Sequence, residues 1–147
     1  MATVNERLVN IRVATESDYD LFNNIYKKGV DLGFESTHVD KADFPREAYL
    51  KYDTVILAEE NGEAIGYAMI HCTDQLPGVC IIYDFYSTKW YGEVTDKLLE
   101  VVKDAAKESG LDRLRVDTYT IEMEAFWSRK RFRSVNNTAC YELMLNT

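Results

Sequence analysis

The sequence predicts an α/β fold, a mixed central sheet flanked by helices, and three observations carry that prediction. Two apolar, branched runs, residues 54–59 and 63–71, are separated by Asn61-Gly62, the strongest two-residue signal for a hairpin turn. Val94, Leu98, Val101, Val102 and Ala105 recur at helical spacing within residues 91–109, and Gly110 follows as a stop. Residues 111–118 then alternate Leu114 and Val116 against Arg113, Arg115 and Asp117, the period of a half-buried strand.

In chain order, residues 8–14 read as a first strand that runs into Thr15-Glu16-Ser17-Asp18, a capping-box helix start. The helix carries Leu21, Phe22, Ile25, Tyr26 and Val30 on one face, loosens at Gly29 and Gly33, and gives way to a loop over residues 34–43. Pro45 suits the first turn of a short second helix reaching residue 52, with Phe44, Ala48, Tyr49 and Tyr52 along it. The hairpin follows, then a turn over residues 73–78 containing Pro77-Gly78, then a strand over residues 79–86. After the long helix and the alternating strand come a helix over residues 121–131 and a last strand over residues 139–145. The expected organisation is one domain over residues 1–147, with no internal repeat and no linker.

Composition narrows the function classes. Seventeen Lys plus Arg against 25 Asp plus Glu give a net charge of -8, which argues against general nucleic-acid binding. No apolar run approaches the roughly 18 residues of a spanning helix, and the polar start of the chain lacks the apolar core of a secretory signal, so a cytoplasmic address is expected. Cys72, Cys80 and Cys140 have no metal-ligand spacing and read as reduced thiols, although Cys72 and Cys80 could face each other across a hairpin. His38 and His71 have no partner spacing, and no metal site is expected.

Several stretches resemble the GNAT N-acetyltransferases. The run from Ala58 through Glu59, Gly62, Glu63, Gly66 and Tyr67 to Ala68 is similar to that family's second hairpin, and Ile11-Arg12 with Asp18 to its opening strand and first helix. Leu98-Leu99, Ala105-Ala106 and Gly110 match its long central helix, and Leu114, Val116 and the segment from Ala125 to Phe132 its closing strand and helix. The resemblance covers nearly the whole chain. It implies a GNAT-type acyl-CoA N-acyltransferase fold, splayed after the fourth strand to admit a pantetheine arm. It also implies transfer of an acetyl group from acetyl-CoA to a small-molecule or peptide amine.

Site residues follow from the same resemblance. Backbone groups of Phe85 and Tyr86 would polarise the thioester carbonyl, and Gly92, Glu93, Val94 and Thr95 would face the coenzyme pyrophosphate at a helix N-terminus. The family's phosphate loop carries more small residues than Lys89-Trp90-Tyr91-Gly92-Glu93-Val94-Thr95, and Glu93 sets a carboxylate beside the phosphates unless its side chain turns outward. Coenzyme affinity is accordingly expected at roughly 6 kcal/mol or less, tens of micromolar or poorer. Thr120 stands where the family often has Asn, Arg131 where it has Gly, and Trp127 where many members have the Tyr that protonates the departing thiolate. An indole N–H is no useful acid, which leaves Tyr119 and Tyr86 as substitutes.

Asp84 sits inside the apolar run Ile81-Ile82-Tyr83-Asp84-Phe85-Tyr86 and reads either as the base that deprotonates an acceptor amine or as a hydrogen-bonded strand residue. Arg129, Lys130, Arg131 and Arg133 read either as a phosphate clamp or as the cationic end of a helix. Two alternatives to an acetyltransferase stay open: a catalytically degenerate GNAT-like domain that binds a partner protein or a second copy, and a regulatory module that binds another nucleotide through the cationic cluster.

Overall fold

The computed structural model describes residues 9–27, 42–72, 75–87 and 91–145. Seven strands form one sheet in the order β1-β2-β3-β4-β5-β7-β6. They are β1 (Val9–Val13), β2 (Thr54–Glu60), β3 (Glu63–Cys72), β4 (Val79–Ser87), β5 (Arg113–Asp117), β6 (Arg133–Ser134) and β7 (Cys140–Met144). Every neighbouring pair is antiparallel except β4 and β5, whose parallel pairing is bridged by the long helix α2 (Tyr91–Glu108). The helices α1 (Tyr19–Tyr26) and α3 (Ile121–Arg129) complete the layers. Among the described residues no helix is long and apolar enough to cross a membrane.

Local chemistry accounts for most of these elements. Asn61 and Gly62 have φ of 55° and 82°, the pair of positive values that a tight β2–β3 turn requires. Asp18 accepts the Thr15 N–H at 2.7 Å, so the capping-box start forms as expected. The Asp18 carboxylate also pairs with Arg12 at 2.7 Å, and Arg12 reaches Glu59 of β2 as well. This network pins β1, β2 and the start of α1 together, and its Arg12 hydrogen bonds hold the Asp18 carboxyl well below the usual carboxylate range.

The sheet separates two cores. On one face α2 and α3 bury Ile56, Ala58, Ile65, Ala68, Ile82, Val94, Leu98, Val102, Leu114 and Trp127. On the other, α1 and the segment around Tyr49 bury an aromatic set with Tyr19, Phe22, Tyr67 and Tyr86. The rings of Phe22 and Tyr49 stack at 5.6 Å, and Phe22 meets Tyr67 edge-on at 5.2 Å.

Three expectations need correction. The second helix is one 3-10 turn, Arg46–Ala48, and does not reach residue 52. Tyr49 turns to extended backbone, stands only 5% exposed, and donates its hydroxyl to the Thr15 carbonyl at 2.8 Å, so tertiary burial overrides the helical spacing. Leu50 then takes a φ of 60°, which a continuing helix excludes. The sheet also has a strand the periodicity does not reveal, β6, joined to β7 by a turn in which Asn136 and Asn137 have φ of 52° and 59°. The helix expected to run through Arg131 ends at Arg129. Val30, the glycines at 29 and 33 and most of the expected 34–43 loop lie outside the described residues, as does His38.

Candidate active site

The site begins where two parallel strands part. β4 and β5 pair only from Val79 opposite Arg113 to Ile81 opposite Arg115, yet β4 continues to Ser87 and β5 to Asp117. The break coincides with a bulge: Asp84 lies opposite Met69 and Ile82 opposite Ile70, leaving Tyr83 as an extra residue on β4. A bulge bends and further twists its strand, which carries the rest of β4 away from β5. Both helices that follow these strands start at this same edge, each with three residues between strand and helix.

An aromatic cluster closes the α2/α3 face of the parted strands. The Phe85 ring meets Trp127 edge-on at 5.3 Å, and Trp127 packs against Phe126 at 5.0 Å and Phe132 at 4.9 Å. Trp127 is fully buried, so this chain uses the position as a core anchor. Thr120 is the N-cap of α3, and its hydroxyl oxygen accepts the Met123 N–H at 3.1 Å.

The first turns of α2 lie close on the sheet because β3 has a glycine beneath them. A Cβ at Gly66 would stand 2.9 Å from the Tyr86 carbonyl oxygen, 3.2 Å from Leu98 Cδ1 and 3.3 Å from Val94 Cγ1. Val94 and Thr95 point inward, 0% and 1% exposed. Glu93 points outward and pairs with Lys97 one turn along at 3.8 Å. The Glu93 carboxylate faces solvent and a lysine, the orientation in which it does not oppose a pyrophosphate at this helix end, and the scarcity of small residues is unchanged by it.

The proton-transfer candidates divide by position. Asp84 accepts the Tyr67 hydroxyl at 2.7 Å and the Phe85 N–H at 3.0 Å, and the rings of Tyr67 and Tyr86 lie 6.0 Å apart. Asp84, Tyr67 and Tyr86 thus share the α1 face of β4, with Tyr86 only 6% exposed. Tyr119 stands apart on the link from β5 to α3, 82% exposed, with Ile121 beside it at 80%. Tyr67 is the residue sequence reading missed. Its partnership depends on the β3–β4 register, which a bulge shifts and no local spacing encodes.

The cationic segment after α3 is largely a helix end. Lys130 pairs with Asp96 of α2 at 2.6 Å. The Arg131 N–H bonds to the Ser128 carbonyl and the Phe132 N–H to that of Trp127, both at 3.0 Å, a Schellman closure with Arg131 in the glycine position at a φ of 76°. His71 Nδ1 lies 2.5 Å from the Tyr52 carbonyl and 3.6 Å from Asp53, whose carboxyl is pushed up by burial. A shallow groove of about 440 Å³ lies elsewhere, between β1 and α2, lined by Val9, Ile11, Asp96, Lys97, Glu100 and Val101.

This fold recurs in solved proteins. An acetyltransferase of the GNAT family from Staphylococcus aureus Mu50 superposes with a TM-score of 0.73 at 18% identity, over 95% of this chain and 100% of its own. The PaiA N-acetyltransferase of Thermoplasma acidophilum, in complex with coenzyme A, superposes at 0.72 with 10% identity, over 93% and 99%. The ribosomal-protein-S18-alanine N-acetyltransferase of Escherichia coli gives 0.68 at 10% identity, over 95% and 96%. No protein-family model and no curated protein sequence matches the chain. The chain has the fold of the GNAT N-acetyltransferases, with a mixed sheet that opens between β4 and β5.

Proposed function

We propose that the protein is an N-acetyltransferase that moves an acetyl group from acetyl-CoA to an amine. The observation that carries this reading is the divergence of β4 from β5 after Ile81, with two helix N-termini at the open edge. A parallel pair that parts in mid-sheet gives an extended ligand a slot with strand backbone along it. The N–H groups of the first turn of α2, Gly92 to Thr95, would hold the pyrophosphate, and the outward turn of Glu93 fits that role. Backbone groups at Phe85 or Tyr86 would polarise the thioester carbonyl.

In this mechanism the amine attacks the carbonyl carbon, the C–N bond forms, and the C–S bond breaks to release the coenzyme thiolate. Asp84 takes the amine proton; its bond from Tyr67 orients the carboxylate along β4. Trp127 is buried and has no acid to offer, and Tyr86 is largely enclosed on the opposite face, so the thiolate recovers its proton from Tyr119 or from water. Loss of a positioned acid typically costs about 10²- to 10⁴-fold in rate, and turnover is correspondingly slow.

The second reading is a domain of this fold that binds without chemistry. It is favoured by the structural employment of Trp127 and Thr120, one as core and the other as helix cap. Calorimetric titration with acetyl-CoA, joined to a free-thiol assay against polyamines, amino acids, aminoglycosides and lysine-containing peptides, separates the readings. Binding heat plus thiol release above background with any acceptor supports the enzyme, and Asp84→Asn should then lower turnover without weakening coenzyme binding. Heat without thiol release supports the binding domain, and silence in both assays overturns the acetyl-CoA reading.

A further inference from the structure

Cys72 and Cys80 stand directly opposite each other at the end of the β3–β4 ladder. Opposed residues of an antiparallel pair have Cα atoms about 4.5–5.5 Å apart, inside the roughly 4.4–6.8 Å span of disulfides, so the spacing permits a bond between them. Strand alternation sends both side chains to the α2 face, as it does those of Ile70 and Ile82, so the two thiols are cross-strand neighbours. Their access differs: Cys72 is exposed and Cys80 is fully buried. The third cysteine, Cys140, is on β7, on the far side of β5.

We propose that Cys72 and Cys80 form a thiol-modification site that a low-molecular-weight disulfide, such as glutathione disulfide, converts to an intramolecular disulfide, Cys72 attacking and Cys80 resolving. The Cys72 thiolate attacks one sulfur of the oxidant, expels one glutathione thiolate and keeps the other half as a mixed disulfide. The Cys80 thiolate then attacks the Cys72 sulfur, forms the intramolecular bond and expels the second glutathione. Two protein thiols are oxidised, one oxidant disulfide is reduced, and the two thiol protons pass to the two glutathiones. The order follows from access, and burial with the adjacent Cys72 pushes the Cys80 thiol up to about 12, which keeps it from starting the exchange. Its place directly across the ladder from Cys72 offsets its low thiolate fraction in the second step. Cys80 is also opposite Leu114 of β5, so the new bond would tie β3 to the short paired base of the β4–β5 gap.

The test treats the native full-length chain with excess glutathione disulfide, blocks the remaining thiols, and combines intact mass with peptide mapping after cleavage before Asp74, which separates the two cysteines. The expected result is loss of two thiols, no retained glutathione, and peptides joined through Cys72 and Cys80; Cys80→Ala should instead keep one glutathione on Cys72. A glutathione retained on wild-type Cys72 with the second thiol intact, a linkage through Cys140, or three thiols left unmodified would each overturn the proposal. The wild-type map decides the matter even if Cys80→Ala does not fold.

Discussion

β4 has two unlike edges. Toward β3 it is paired from Cys80 opposite Cys72 to Ser87 opposite Gly66, all but its first residue, with one bulge on the way. Toward β5 it is paired only over its first three residues. The first edge is continuous ladder and builds stability. The second trades that ladder for an opening, and side chains have to replace what the hydrogen bonds no longer hold. Phe85, Phe126, Trp127 and Phe132 do so on the α2/α3 face. The contrast puts a continuous ladder and an opening on opposite sides of a single strand.

Breaking the aromatic replacement should have the largest effect. Trp127→Ala removes a fully buried side chain from the parted side and should destabilise the protein by about 3–5 kcal/mol in chemical denaturation. A loss below about 1 kcal/mol would mean that the cluster does not support the opening. On the continuous side, Gly66→Ala forces a Cβ to within 2.9 Å of the Tyr86 carbonyl and should cost about 1–3 kcal/mol, while also pressing α2 off the sheet. Its signature is a coupled loss of denaturation midpoint and acetyl-CoA affinity.

Much of this contrast was legible on one side only. The β2–β3 hairpin is written in Asn61-Gly62, α2 in its apolar stripe and Gly110, and the alternation of β5 in Leu114 and Val116, because each signal is local. The opening is a relation between strands that α2 separates in sequence, fixed by an extra residue at Tyr83, and no window of sequence contains it. The orientation of Glu93 was within reach: with Val94 and Leu98 on the buried stripe, Glu93 and Lys97 fall beside it together. The β6–β7 turn was likewise signalled by Asn136-Asn137, whereas the end of the second helix was decided by the Tyr49 side chain finding Thr15.

Smaller effects sharpen the comparison from the far edge of the continuous side and from α3. Asp18→Asn removes one of Arg12's two carboxylate partners, leaving Glu59, and should cost about 1–2 kcal/mol at neutral pH, the pair being partly exposed. Because the folded-state pKa of Asp18 is depressed, its contribution is fully present above the unfolded carboxylate value, near pH 4, and declines as pH falls toward the folded value. Denaturation curves of wild type and variant should therefore converge in acid; a gap that widens there would contradict the network. Arg131→Gly relieves a positive φ at the end of α3 and should stabilise by about 1 kcal/mol, read as a raised denaturation midpoint.

In the proposed function, the opening between β4 and β5 receives acetyl-CoA. Amide hydrogen exchange on the native protein, with and without saturating acetyl-CoA, tests it most directly. Bound acetyl-CoA should slow exchange in residues 82–87 of β4, in residues 92–95 of α2 and around residues 116–120, with the β1–β2 edge unchanged. No change at the opening, or protection confined to the groove between β1 and α2, would contradict it.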